Sequence, residues 1–346
     1  MRITRVLITL LAGIASMLIL PQPLSAEQVI RIGFFPNITH SQPIVGSEKG
    51  FFQKALGPEV KVQTRTFNAG PSEIEALFAG EIDLGYIGPN PAINGFIRSR
   101  GKALRIIAGA TSGGAVFVVR NDGGIARVAD FAGKKFASPQ IGNTQDVALR
   151  AYLKDKGFKL KEKGGNVEVI PIANPDIFTL FVKKEIDGAW VPEPWGARLV
   201  REANGRIFLD ERDLWPGGKF VTAHVMVRTS FLHERPELLK KWLEGHVETT
   251  GWINGNSGEA KKILNRRIKE LTSRGLAAGV LDDAFGRMQV TYDPVASSLQ
   301  KSADDAYALG FLRDKNIDGI YDLVLLNQVL TEKGLKPLQI ATAKQK

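Results

Sequence analysis

The chain of 346 residues is 44% hydrophobic and 24% charged, a balance that buries a core and excludes a chain that is disordered, collagen-like or coiled-coil throughout; its length suits two lobes. The absence of cysteine excludes disulfides, thiolate zinc sites, thiol nucleophiles and iron–sulfur clusters. The formal net charge is +10, yet the basic runs at 154–163 and 261–269 interleave with or abut Asp155, Glu162, Glu259 and Glu270, the pattern of solvated faces rather than of a nucleic-acid surface.

In chain order, residues 1–5 are a short basic head and 6–20 an uncharged, mostly apolar run. Pro21-Gln22-Pro23 breaks that run before Leu24-Ser25-Ala26. This is the order of a cleavable secretory signal peptide over 1–26. The alternative is a membrane anchor, but the run is shorter than the ~20 residues that span a bilayer. With no cysteine to carry a lipid, the exported chain is expected to be free in the periplasm or secreted.

From there the pattern predicts strands at 27–35, 60–66, 84–87 and 104–110, with helices at 41–53, 73–79 and 88–98 between them. That alternation implies a mostly parallel sheet covered by helices. A second set follows, with strands at 115–120, 135–137, 167–170 and 188–190 and helices at 145–156, 175–183 and 196–203. The strand at 220–227 is placed to return the chain to the first lobe. Helices are expected at 236–254, 260–271, 296–309 and 323–332, then a loose tail over 341–346. Two α/β lobes with a crevice between them is the simplest architecture, and ligands of such folds sit at the carboxyl ends of strands.

Four turns fall at those ends. They carry Asn37, Thr39 and His40; Gly88, Pro89 and Asn90; Ser112, Gly113 and Gly114; and Gly142, Asn143, Thr144 and Gln145. Free backbone N–H groups, small polar side chains and helix N-termini can hold an oxyanion without a cation. A fifth segment, Trp190-Val191-Pro192-Glu193-Pro194-Trp195, sets two aromatics and an acid between prolines. Trp190 is read either as core or as cleft, and Trp195 as a cleft wall. Glu193 either accepts from a ligand amine or caps the next helix. No nucleophile elbow, zinc-protease helix or phosphate loop occurs, and the four histidines do not form a catalytic set, so no catalytic residue and no metal ligand is expected.

These turns and their order resemble the nitrate/sulfonate/taurine family of ABC-transporter substrate-binding proteins. The resemblance rests on Arg31-Ile32-Gly33-Phe34-Phe35, Glu48-Lys49-Gly50-Phe51-Phe52, the stretch from Glu81 to Gly88, Asp187-Gly188-Ala189-Trp190 and Pro192-Glu193-Pro194-Trp195. It implies an α/β, two-lobe, type II periplasmic-binding-protein-like fold with a ligand cleft between lobes and a helical C-terminal region. Residues 27–114 with about 222–346 would form one lobe and about 115–221 the other. It implies a monomeric receptor, not an enzyme, that needs no cofactor, binds a small organic anion and delivers it to the transmembrane subunits of an ABC permease. The ligand turns above, with Glu193 and Trp195, are the positions it carries over. None of the turns contains Lys or Arg, which together with Glu193 favours an aliphatic sulfonate or a taurine-like compound bearing an amine. Nitrate, bicarbonate or a thiamine-pathway pyrimidine are the rival ligands. Enzymes of thiamine-pyrimidine and menaquinone-precursor synthesis share the fold but resemble the chain less, and the cysteine-rich motif of one such group cannot exist here. A sensor domain for a partner receptor is a further alternative.

Overall fold

The computed structural model describes residues 28–340; the signal peptide expected over 1–26 and the tail over 341–346 lie outside the described residues. The first half of the fold runs β1 (Gln28–Phe34), α1 (Ser41–Glu48), α2 (Phe51–Leu56), β2 (Val60–Thr66), α3 (Gly70–Phe78), β3 (Leu84–Ile87), α4 (Pro89–Arg98) and β4 (Leu104–Gly113). The second half opens with β5 (Ala115–Arg120), β6 (Lys135–Pro139), α5 (Thr144–Asp155), β7 (Glu168–Ile172), α6 (Asn174–Val182), β8 (Gly188–Pro192), α7 (Trp195–Glu202) and β9 (Gly205–Asp210). The chain then continues through β10 (Val221–Arg228), α8 (Thr229–Glu234), α9 (Pro236–Gly255), α10 (Ser257–Thr272), α11 (Val280–Gly286), β11 (Met288–Val290), α12 (Leu299–Ala308) and α13 (Val324–Glu332).

Local chemistry sets these bounds. Proline stands in the first turn of α3, α4, α6 and α9, where its missing N–H is harmless and its fixed φ starts the helix. The single helix expected over 41–53 is two helices. Gly50 adopts φ +71° between them, a left-handed turn open to glycine without steric penalty.

The strands form two sheets, ordered β11-β4-β10-β3-β1-β2 and β7-β6-β8-β5-β9. Each sheet is mixed rather than mostly parallel. β1 runs parallel to β2 and β3, but β10 is antiparallel to both β3 and β4. In the other sheet β6 is parallel to β7 and β8, while β5 is antiparallel to β8 and β9. β10 runs against its neighbours in the first sheet and β5 against its neighbours in the second, and both lie on the crossings: β4 leaves the first sheet, β5 enters the second, and β10 returns. The fold is the two-lobe α/β architecture of periplasmic binding proteins, with a helical C-terminal region on the six-stranded lobe.

Each lobe has its own core. In the first, Trp242 of α9 stacks on Phe52 of α2, ring centroids 5.3 Å apart, beneath the buried Ile30 and Ile32 of β1. In the second, Phe117 is packed by Phe131, Phe136 and Trp190, the last stacked at 5.4 Å. Trp190 is fully buried and donates from Nε1 to Glu211 at 2.7 Å, so of its two readings the core one holds.

Candidate ligand-binding site

The parallel strands aim their carboxyl ends at one place. β1, β2 and β3 point one edge of the first sheet toward the edge of the second formed by β6, β7 and β8. The loops leaving those strands meet around a small cavity of about 20 Å³ between the lobes, lined by Phe35, Asn37, Thr39, His40, Asn68, Gly88, Asn143, Thr144, Gln145, Asn174, Pro192 and Thr222. A space of that size holds about one water molecule, so the loops of the two lobes approach closely here.

No Lys, Arg, Asp or Glu lines this cavity. Its polarity comes from neutral groups. His40 accepts a hydrogen bond at Nδ1 from the Phe35 N–H at 3.0 Å, which puts the ring proton on Nε2. Burial lowers its pKa to about 3, so the ring is a neutral donor rather than a cation. Gly88, Asn143 to Gln145, and Asn174 bring the N-termini of α4, α5 and α6 to the cavity wall, and no side chain caps any of these helices. Uncapped N-termini present orphan donors and partial positive charge. Asn37 Oδ1, Asn174 Oδ1 and the Thr144 hydroxyl are buried without a hydrogen-bond partner. A buried polar atom left unpaired costs about 1–3 kcal/mol, and three around one cavity mark it as built to be filled. Either amide can turn its NH₂ inward by rotation.

The surrounding sequence holds these groups in place. Asp146 is fully buried in the first turn of α5. It accepts from the Ser138 hydroxyl at 2.7 Å, the Gly142 N–H at 2.9 Å and Arg150 Nε at 2.9 Å. That carboxylate folds the loop 138–142 back on the helix and presents Asn143 to Gln145 to the cleft. One glycine sits where the lobes meet most closely: a Cβ on Gly88 would collide with the Thr144 hydroxyl, whereas one on Gly70 would overlap Pro91 of the same lobe.

The structure thus brings together Asn37, Thr39, His40, Gly88, Asn143, Thr144 and Gln145, while other expected residues go elsewhere. Pro89 only begins α4 beside Gly88. Asn90 turns away and donates to Ser302 O at 3.1 Å, tying α4 to α12. Ser112 and Gly113 belong to β4, where β10 and β11 pair with them; they line a separate pocket with Arg212 and Arg287. Gly114 serves the crossover, its N–H donating to Arg287 O at 2.8 Å. Gly142 supplies the turn at φ +72°. Glu193 is buried and accepts from the Ala197 N–H at 2.9 Å and from Arg287 Nε at 2.7 Å. It is therefore the helix-capping acid, not a partner for a ligand amine.

Sequence reasoning missed Asn68 and Asn174 as lining residues. Both follow a strand and precede a proline-started helix, the same signal that selected Gly88.

Trp195 lies outside the small cavity, in an adjoining chamber of about 490 Å³ between α6 and α7 of one lobe and the end of α10 of the other. Phe35, Asn37, Asn68 and Asn174 line both spaces. Arg198, also in this chamber, lies over the Trp195 ring at 4.7 Å and over Phe178 at 4.6 Å.

Fold and site together define a two-lobe binding protein. The chain belongs to the NMT1-like family, whose model matches residues 25–268. It is 28% identical over 264 residues to a binding protein of Brucella abortus, covering 75% of this chain and 78% of that one. It is 26% identical to the taurine-binding periplasmic protein of Escherichia coli, over 61% of this chain and 62% of the other. Its fold resembles the alkanesulfonate-binding protein SsuA of Xanthomonas axonopodis pv. citri bound to MOPS, with TM-score 0.67, 19% identity and 83% and 95% of the two chains covered. It also resembles the desulfurization enzyme DszB, with TM-score 0.64, 16% identity and coverage of 88% and 99%.

Proposed function

We propose that this protein is the exported solute receptor of an ABC importer. In this reading residues 1–26 direct export to the periplasm and are removed. Residues 27–114 with about 222–346 form one lobe, and about 115–221 the other. The monomer closes over a small organic anion with a sulfonate-type head and presents it to a membrane permease. Asn37, Thr39, His40, Gly88, Asn143, Thr144 and Gln145 hold the head, with Asn68, Asn174 and Thr222 completing the wall. Binding shifts an open–closed equilibrium, and the permease reads the closed form.

The observation that carries the reading is the uncharged cavity walled by uncapped helix N-termini and unpaired buried polar atoms. Neutral donors suit a strong-acid anion, which stays ionised and needs hydrogen bonds rather than a proton. Binding without chemistry is favoured over the enzymatic role of the DszB fold relative. His40 is too weakly basic to take a proton, and no carboxylate reaches the cavity.

A thermal-shift screen on protein refolded to strip carried-over ligand tests this. Methanesulfonate, taurine, sulfate, nitrate, bicarbonate and a thiamine-pathway pyrimidine form the panel. A true ligand at 100 times its Kd stabilises by about 2.7 kcal/mol. Asn143→Ala is expected to weaken that ligand about 10- to 100-fold, the worth of one charge-assisted hydrogen bond, with little change in the Tm of the free protein. A shift from a pyrimidine alone would keep the receptor and discard the anion.

A further inference from the structure

We propose that the natural ligand carries an apolar, ring-bearing tail, its anionic head in the closed cavity and its tail in the adjoining chamber against Trp195. This rests on the reading of the cavity as an anion site and names the class of anion.

The cavity alone is too small for an organic ligand. At about 20 Å³ it has room for about one water molecule, so a head enters it only as the walls give way and a tail has no room there. The four residues common to both spaces make the chamber the only continuation the cavity shares among the described pockets. That chamber, about 490 Å³, lies within the range of organic-ligand pockets, and a two-carbon tail would leave most of it empty.

Its walls mix polar groups with apolar ones, and the apolar ones stand on both sides of the cleft. Phe35, Phe67, Ile268, Leu271 and Leu276 come from one lobe and Trp195 from the other. Leu271, one of the lining residues, is 40% exposed, a large apolar side chain open to solvent. A tail that bridges these walls would bury apolar surface that closure of the protein alone leaves wet.

Charge argues against an ammonium tail. Arg198 already occupies a face of Trp195, and its Nε and Nη2 are committed to Glu202. Arg198 and Arg274 line the chamber against one acid, Asp176. A second cation over Trp195 would meet a fixed like charge. With Glu193 buried under Arg287, no second carboxylate lines the chamber.

Calorimetric titration of methanesulfonate, taurine, 1-butanesulfonate and 2-naphthalenesulfonate decides the matter. On the native protein, 2-naphthalenesulfonate is expected to bind about tenfold or more tightly than methanesulfonate and taurine, with butanesulfonate between. The affinity ratio of 2-naphthalenesulfonate to methanesulfonate should fall about tenfold in Trp195→Ala and in Leu271→Asp, the second a surface change that spares the fold. Asn143→Ala should weaken all four ligands together. Taurine or methanesulfonate binding as tightly as 2-naphthalenesulfonate, or a ratio unchanged in both variants, overturns the tail while leaving the anion site standing. Silence from all four ligands overturns the anion site and the tail with it.

Discussion

His40 shows how a single residue can be tuned by its backbone neighbours. The Phe35 N–H fixes the tautomer and burial removes the charge, so the ring keeps a neutral N–H donor at Nε2 without the desolvation penalty of a cation. Gly88 is the steric counterpart. Its φ of −72° is one any residue can adopt, so its value lies in space, not in backbone freedom. Gly88→Ala is expected to fold normally in the free state but to hold the lobes apart at Thr144. Ligand affinity should fall about tenfold or more, and small-angle scattering should show the ligand-bound variant as expanded as the free one. Normal compaction on ligand addition would count against this account. Gly88 and Thr144 were each legible as turn residues. Their contact was not, because it joins the starts of two helices that belong to different lobes.

At the scale of elements, α3 carries an unusual group. Glu73 sits in its first turn, fully buried over Gly33 and Gly85 of β1 and β3, with both carboxyl oxygens unpartnered. Desolvation pushes its pKa well above the usual carboxylate value. Because the folded pKa is raised, the folded state keeps the proton that the unfolded chain releases. The stability present at low pH is then lost as pH rises toward the folded pKa, at about 1.4 kcal/mol per pH unit. Glu73→Gln keeps the shape and removes the titration. Urea unfolding at pH 5, 7 and 8.5 should show the variant gaining on the native protein as pH rises. A difference independent of pH would mean that Glu73 is ionised or solvated.

Most elements were readable from periodicity because their apolar residues face one side. β9 and β11 were not. Arg206-Ile207-Phe208-Leu209 is a four-residue run that follows α7 after only the Asn204-Gly205 turn, and β11 has three residues defined only by pairing with β4. That same pairing turned Thr111 to Gly113 from an expected loop into strand.

On the scale of the whole molecule, two ion pairs among the described residues cross from one lobe to the other. Arg201 of α7 meets Asp283 of α11, with side chains 43% and 29% exposed. Arg287 meets Glu193, whose side chain is fully buried. Solvent screens the first, so Arg201→Ala should cost less than about 1 kcal/mol. Arg287→Ala strands a buried carboxylate already raised in pKa by desolvation and should cost about 3–5 kcal/mol. Adding Glu193→Gln to Arg287→Ala should restore much of that loss. Equal losses from the two arginine variants, read by denaturant unfolding, would mean that Glu193 is not desolvated as the structure has it.

The α/β alternation, the two lobes and the strand-end turns that carry Asn37, His40, Gly88 and Asn143 could be read from the chain, because each is written in residues close together in it. Which turns meet was set by how the lobes pack. Asn90 looked like Asn143 in sequence, yet it ties α4 to α12, and Glu193, open to a ligand amine or a helix cap in sequence, pairs with Arg287. Asn68 and Asn174 looked like ordinary helix starts and became cavity wall. A polar side chain at a helix N-terminus carries the same local chemistry wherever it occurs. Whether a ligand, a carbonyl or an arginine completes it depends on what the other lobe places opposite, and sequence spacing does not encode that distance.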